Sequence, residues 1–251
     1  MTRNTKRGAR DGRKLVRTGA LVFVLLLLAF CYTPPGRAMW TELCRACGLL
    51  PFAQSLPDAD LTVYVIDVGK ADAILIETPE GAVLSDCATA EQAETVLRVL
   101  KQREIQKLRA VWISHADSDH VGGLTQILRE VPAEEVVTSM YTELTGLPED
   151  QTVRTVSAGE TVSYGEAEFR VLAPLEDLES TNENSLVYKL EAVQPQYAVI
   201  SSGEDRNMLP RNETLKRLAD HGVEIFRTDE NGSVAILTDG AETKIYTENG
   251  K

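Results

Sequence analysis

Arg109-Ala110-Val111-Trp112-Ile113-Ser114, followed by His115-Ala116-Asp117-Ser118-Asp119-His120-Val121-Gly122-Gly123, decides the reading of this chain. The first six residues are mostly apolar, rich in strand-forming side chains and bounded by charge, which predicts a strand ending at Ser114. Beyond Gly122-Gly123, Leu124, Ile127 and Leu128 fall on one face of a helical pattern. Between strand and helix stand two imidazoles and two carboxylates within six residues, His115, Asp117, Asp119 and His120. A loop in that position can aim several side chains at one point, which a divalent ion requires. Nitrogen and oxygen donors together suit zinc, manganese or iron, and the two carboxylates lean towards the harder ions. The competing reading is a polar loop whose acids cap the next helix. The full His-x-Asp-x-Asp-His-x-Gly-Gly pattern in a strand–loop–helix context favours the metal cluster.

Outward from this loop the pattern alternates strands and helices. Leu61–Asp67, Ala73–Thr78 and Ala82–Asp86 read as strands, the last two joined by a turn at Pro79-Glu80-Gly81. Ala90–Gln102 is an amphipathic helix, with Ala93, Val96, Leu97 and Leu100 on its apolar face. Val136-Val137 and then Val153–Pro174 hold short strands. Ser185–Leu190 and Tyr197–Ser202 read as apolar, interior strands. Asn212–His221 reads as a helix, and Glu224–Thr228, Ser233–Thr238 and Thr243–Thr247 as closing strands. Strands in groups with helices interspersed predict sheets packed face to face with helices outside.

The 251 residues carry a net charge of −12 and are 43% hydrophobic, enough for one sizeable core with an appendage. The charge is uneven. Residues 1–18 hold seven basic side chains (Arg3, Lys6, Arg7, Arg10, Arg13, Lys14, Arg17) against Asp11, which leaves −18 for the remainder. No Lys/Arg stripe with interleaved aromatics occurs, so nothing except a bound metal would attract a nucleic acid. Gly19–Tyr32 is an unbroken run of small and apolar residues, shorter than the roughly 20 residues of a comfortable membrane span. A basic flank, an apolar run and then Pro34-Pro35-Gly36 read as a signal anchor in preference to a cleaved signal peptide, because no convincing cleavage site follows. The basic tail would stay cytoplasmic, with the rest of the chain outside. The expected organisation is a basic tail over 1–18, an anchor over 19–32, a proline-containing linker without sustained period over 33–60, and a folded domain over 61–251. Cys44-Arg45-Ala46-Cys47 is a lone C-x-x-C, able to close a small disulfide in an oxidising compartment or simply to pack.

Several segments resemble the metallo-β-lactamase fold, specifically the soluble hydrolase domain of ComEC-type competence proteins and its stand-alone relatives. Ile66-Asp67-Val68-Gly69-Lys70-Ala71-Asp72-Ala73 is similar to that family's D-V-G-Q-G-D-A opening, with Lys70 and Ala71 in place of Gln and Gly. Leu84-Ser85-Asp86-Cys87 resembles its L-I-D-x-G strand end, His115–Gly123 its H-x-D-x-D-H-x-G-G loop, and Asn182–Val187 its N-x-x-S-x-V element. Pro195–Gly203 and Arg227–Gly232 resemble its closing strands. The resemblance runs from about Leu61 onward. It implies an αβ/βα sandwich of two mixed sheets with helices outside, and one or two divalent ions, zinc or manganese. His115 and Asp117 would hold one ion, and Asp119 and His120 a second, with Asp119 also catalytic. Asp86, with Asp67 and Asp72, would stand behind the ligands and orient them, and Asn182 or Asn184 would border the site. The implied chemistry is hydrolysis of a phosphodiester or related ester.

The departures carry equal weight. In the family, a G-D turn supplies an Asp that bridges the metals, and a G-H-H-G-S segment supplies a further ligand. Here Ser185–Leu190 runs straight into Glu191–Tyr197, so the sandwich is expected to be incomplete, lacking tens of residues between Leu190 and Glu191. The later N-x-Y-G-H-P element reads Asn207-Met208-Leu209-Pro210 without its His, and the whole chain has three histidines, the third being His221. Glu204 and Asp205 are candidates for substitute ligands, or else solvated loop acids. The expectation is a weakened metallohydrolase, and the alternative a non-catalytic metal-binding or interaction domain of the same fold. No G-x-S-x-G occurs and no base is evident beside Cys87, so a serine or cysteine hydrolase is unsupported.

Overall fold

The computed structural model describes residues 30, 33–47, 49–165, 167–177, 185–190, 197–200, 215, 216, 219 and 224–250. The apolar run Gly19–Tyr32 (Phe30 apart), Asn182, Asn184, the junction after Leu190, Glu204, Asp205 and His221 lie outside them. The chain forms two compact units, Met1–Ser55 and Leu56–Lys251.

The first unit holds helices α1 (Pro34–Ala46) and α2 (Phe52–Ser55). Residues that read as an aperiodic linker are therefore partly helical, and the reason lies at the N-terminus of α1. Thr33 accepts the Gly36 N–H at its side-chain hydroxyl, 3.2 Å, and the Arg37 N–H at its carbonyl, 2.9 Å. Pro34 then occupies the first helical position, where a missing N–H costs nothing. No helix among the described residues is long and apolar enough to cross a membrane.

In the second unit, strands β1 (Leu61–Val65), β2 (Ile74–Thr78) and β3 (Gly81–Ser85) precede helix α3 (Ala93–Gln102). Strand β4 (Leu108–Ile113), the single turn α4 (Ser118–Val121), helix α5 (Leu124–Glu130) and strand β5 (Ala133–Ser139) follow. Next come β6 (Val153–Val156), β7 (Thr161–Tyr164), β8 (Ala167–Ala173), β9 (Val187–Leu190) and β10 (Tyr197–Ile200). Last are β11 (Glu224–Arg227), the turn α6 (Thr228–Asn231), β12 (Val234–Thr238) and β13 (Thr243–Thr247).

Eight strands form one mixed sheet in the order β13-β12-β1-β2-β3-β4-β5-β6. Strands β1, β2 and β3 pair antiparallel, and β3, β4, β5 and β6 pair parallel. Parallel neighbours need crossovers, which α3 and the α4–α5 segment supply. That explains the continuous apolar run of β4, because a strand inside a parallel sheet is buried on both faces. Ala110 and Trp112 belong to the core on one face, while Val111 and Ile113, equally buried, alternate to the other. A three-stranded antiparallel sheet, β7-β8-β9, packs on the first face, with Val162, Tyr164, Phe169, Val171 and Leu186 joining Ile76, Val83, Trp112 and Val137 in one hydrophobic cluster. Trp112 centres it. Its ring lies 5.1 Å from Phe169 and 4.8 Å from Tyr188, and its indole N–H donates to the Tyr164 hydroxyl at 3.2 Å.

This is an α/β fold with a mixed sheet, and it departs from expectation in two ways. Among the described residues the second layer is not one mixed sheet: β10 and β11 form a separate parallel pair. Among the described residues strand β9 is an edge, not an interior strand. Tyr188 and Leu190 pack on the core while Val187 and Lys189 face outward, so its apolar composition reflects one buried face only.

Trp112→Ala should remove about 3–5 kcal/mol of stability, the range for a large aromatic lost from a packed core. Urea unfolding followed by circular dichroism measures it, and a loss below 1 kcal/mol would contradict the packing of the two layers.

Candidate metal centre

Topology brings the candidate residues to one rim of the sheet. Strands β3 and β4 are parallel neighbours, so the segments leaving their carboxyl ends, 86–88 and 114–123, emerge side by side. Because β2 is antiparallel to both β1 and β3, the loop after β1, residues 66–73, leaves at the same rim. The carboxyl ends of parallel strands are where open α/β sheets place their ligands.

Main-chain hydrogen bonds lash these three loops together. The Cys87 N–H donates to the His120 carbonyl at 2.7 Å, Ala88 to Asp72 at 2.9 Å, Gly123 to Ala88 at 3.1 Å and Asp72 to Asp119 at 3.2 Å. Asp86 and Ala88 both take left-handed backbone, φ 58° and 57°. Such a conformation costs a residue with a Cβ roughly 1–2 kcal/mol and persists only where surrounding contacts impose it. The two glycines have a different purpose, since neither has positive φ. A Cβ on Gly123 would collide with the Cys87 carbonyl, and one on Gly122 would lie 2.8 Å from the Ala90 nitrogen. The glycine pair lets the helix-bearing loop press against the β3 loop.

The side chains meet at Asp86, which is buried. Its Oδ1 accepts the Ser114 N–H at 2.8 Å, and its Oδ2 accepts the Ser114 hydroxyl at 2.8 Å and lies 2.9 Å from His120 Nδ1. The Ser114 oxygen is also 3.0 Å from His115 Nδ1. With the hydroxyl proton given to Asp86, Ser114 accepts from His115 Nδ1–H, and Asp86 accepts from His120 Nδ1–H. Both imidazoles then keep a lone pair at Nε2. Those atoms face the loop carboxylates: His115 Nε2 is 3.6 Å from Asp117 and His120 Nε2 is 4.0 Å from Asp119. The two rings are 4.0 Å apart, centroid to centroid. Burial alone would lower the His120 pKa, but the Asp86 hydrogen bond and the charges of Asp86, Asp72 and Asp119 hold it above the ordinary histidine value.

Among the described residues, Asp72, Asp86 and His120 form a group whose ligand atoms lie within 4.8 Å of one another, close enough to hold a metal ion. It gathers on the Nδ1 side of His120, with Asp72 Oδ2 3.7 Å away. The four loop residues named from sequence stand as two His–Asp pairs on the Nε2 side. An ion on the Nδ1 side would compete with Asp86's bonds to Ser114 and His120. One on the Nε2 side leaves them intact. Asp67 sits in a turn, its Oδ1 accepting the Gly69 N–H at 3.2 Å and its own N–H donating to the Ser233 hydroxyl at 3.1 Å. The Leu186 N–H donates to the Ser114 carbonyl at 2.7 Å, so the chain just after Asn184 passes beside the loop. Cys87 is fully buried, and burial followed by the Asp86 charge pushes its thiol pKa up, which suits packing and not nucleophilic chemistry. Sequence reasoning assigned no role to Ser114. The available signal was a hydroxyl at the strand end, directly before His115.

A family model described as the metallo-beta-lactamase superfamily matches residues 66–198. ComE operon protein 3 of Bacillus subtilis (strain 168) is 22% identical, over 85% of this chain and 38% of its own length. The chain thus spans well under half of that relative. The alignment runs over 295 residues, more than this chain contains, so stretches of the relative have no counterpart here. Solved structures that match part of this chain include MEM-A1, a subclass B3 metallo-beta-lactamase isolated from a soil metagenome library (21% identity, 53% of this chain and 55% of that one, TM-score 0.44). Another is BJP-1, a subclass B3 metallo-beta-lactamase of Bradyrhizobium japonicum (17% identity, 53% and 54%, TM-score 0.43).

Asp86→Ala should weaken zinc binding about 10–100-fold, as loss of a ligand-orienting carboxylate does. It should also lower metal-free stability by about 1–3 kcal/mol, because the Ser114 N–H loses its buried acceptor. Titration calorimetry and urea unfolding of the same variant measure both. Unchanged zinc affinity would contradict the orienting role.

Proposed function

The chain belongs to the metallo-beta-lactamase superfamily, and from that premise we propose that it is a metal-dependent hydrolase of phosphodiester or related ester bonds, with weakened activity. The observation that carries this reading is the Asp86–Ser114–His120 knot, which orients two imidazoles so that their Nε2 atoms face Asp117 and Asp119. On this reading His115 and Asp117 hold one ion, and Asp119 and His120 provide for a second. When bound, such ions lower the pKa of water and stabilise negative charge developing on a phosphoryl or acyl oxygen. The protein's own part is orientation and proton handling. Asp86 and Ser114 fix the rings, Asp72 adds negative charge behind His120, and the carboxylate of Asp119 accepts the proton that the attacking water sheds. Asn182 or Asn184 borders the substrate side, in keeping with the passage of Leu186 beside Ser114.

The reduced activity rests on ligand supply. A two-metal mechanism needs both ions held a few Å apart, and this loop offers four ligands without a bridging carboxylate or a further histidine. The stretches of ComE operon protein 3 without counterpart support loss of a ligand-bearing segment, which the sequence puts between Leu190 and Glu191. The same shortfall favours a second reading, a folded metal-binding domain with no catalysis. The acidic body disfavours a nucleic-acid substrate. We also propose that residues 1–18 stay cytoplasmic, 19–32 anchor the chain in the membrane, 33–60 form the connection, and 61–251 form the hydrolase domain on the extracytoplasmic side.

Purified full chain should carry about one tightly bound ion, and turn over simple aryl phosphodiesters slowly. At a hundredfold excess over the dissociation constant, zinc or manganese should add about 2.7 kcal/mol of stability, most of which Asp119→Ala should abolish. Two tightly held ions with vigorous turnover would overturn the weakened-enzyme reading. Slow turnover that Asp119→Ala leaves unchanged would favour the non-catalytic domain.

A further inference from the structure

Helix α1 carries an apolar face that no described residue covers. Met39, Trp40 and Leu43 are 54%, 55% and 52% exposed, and Leu49, just beyond the helix, is 72% exposed. At 100° per residue, Met39, Trp40, Leu43, Cys44 and Cys47 fall on one arc. The sequence positions on the other arc are Arg37, Thr41, Glu42 and Arg45. A water-facing helix would not segregate its residues this way, and three large apolar side chains half in water form a patch that calls for a partner.

The neighbouring sequence names the partner. The apolar run Gly19–Tyr32 ends one residue before Thr33, whose side chain caps α1. Two residues of extended chain reach about 7 Å, so if that run lies in a bilayer, α1 cannot move away from the bilayer surface. Nor can it cross: 13 residues span about 20 Å at 1.5 Å per residue, well short of a hydrocarbon core about 30 Å thick. An amphipathic helix held at that level lies in the plane of the interface with its apolar face among the acyl chains. Tryptophan is the side chain most at home there.

We infer that α1 is an interfacial helix, lying flat on the lipid surface with Met39, Trp40, Leu43 and Leu49 inserted, so that the segment after the anchor clings to the bilayer instead of acting as a free tether. The inference rests on the membrane anchoring proposed for residues 19–32, and the test separates the two. Full chain is bound to vesicles of phosphatidylethanolamine and phosphatidylglycerol. Trp40 emission is taken as the difference between the native chain and Trp40→Phe, which removes the signal of buried Trp112. Trp40 should emit blue-shifted, resist aqueous acrylamide, and be quenched most by lipids brominated near the headgroup. The double substitution Met39→Asp with Leu43→Asp should leave the chain on the vesicles while returning Trp40 to water-like emission and acrylamide access.

Chain that sediments with vesicles while native Trp40 stays as accessible as in the double variant would overturn the interfacial helix and leave the anchor standing. Trp40 shielded without lipid, in proportion to protein concentration, would make a second copy the occupant and overturn it as well. Chain that fails to sediment at all would overturn the anchor and the helix together.

Discussion

The buried carboxylate of Asp86 is the constraint on which the rest of the rim depends. It leaves β3 in a left-handed backbone conformation, receives two hydrogen bonds from Ser114 at the end of β4, and pairs with His120 beyond. Each contact joins groups far apart in sequence, which is possible only because β3 and β4 are parallel neighbours whose ends come out together. A charge buried here must be satisfied, since an unpaired carboxylate in the interior is far costlier than the strain of one left-handed residue. The loop geometry follows: imidazole rings turned with Nδ1 inward, carboxylates outward, and Gly122-Gly123 allowing the close approach.

Chemistry-bearing residues were legible in the sequence where their signal is local. The β4 run, the His-x-Asp-x-Asp-His loop and the amphipathic residues of α3 announce themselves within a few positions, and their expected boundaries differ from the observed ones by only a few residues. The lashing of the three loops was not legible, because the Asp72–Asp119 and Cys87–His120 bonds depend on the fold and leave no pattern along the chain. Ser114 escaped for the same reason, its partner Asp86 being 28 residues away. The edge position of β9 escaped because an apolar strand reads the same whether one face or two are covered. Helix α1 was hidden by Pro34 and Pro35, which look like linker residues until Thr33 is recognised as a cap.

On the proposed reading, the chain keeps the framework of a metallohydrolase with weakened activity. Framework and ligands are separable here. The Asp86 knot, the strained turn and the glycine contact are all made within residues 66–123, and they position His115 and His120. Stretches of ComE operon protein 3 have no counterpart in this chain, and on the proposed reading a second ion site would need ligands that residues 66–123 do not supply. A rim prepared on one side and short of ligands on the other would bind metal before it catalyses.

With Asp86 and Ser114 holding both imidazoles at Nδ1, metal on the proposed reading is taken at Nε2. Nitrogen NMR of the histidine side chains, recorded on the full chain as zinc is added, tests it directly. The Nε2 resonances of His115 and His120 should move on zinc addition, while their Nδ1 atoms remain protonated and hydrogen-bonded. Coordination of His120 through Nδ1, toward Asp72 and Asp86, or no response of either ring to zinc, would contradict it.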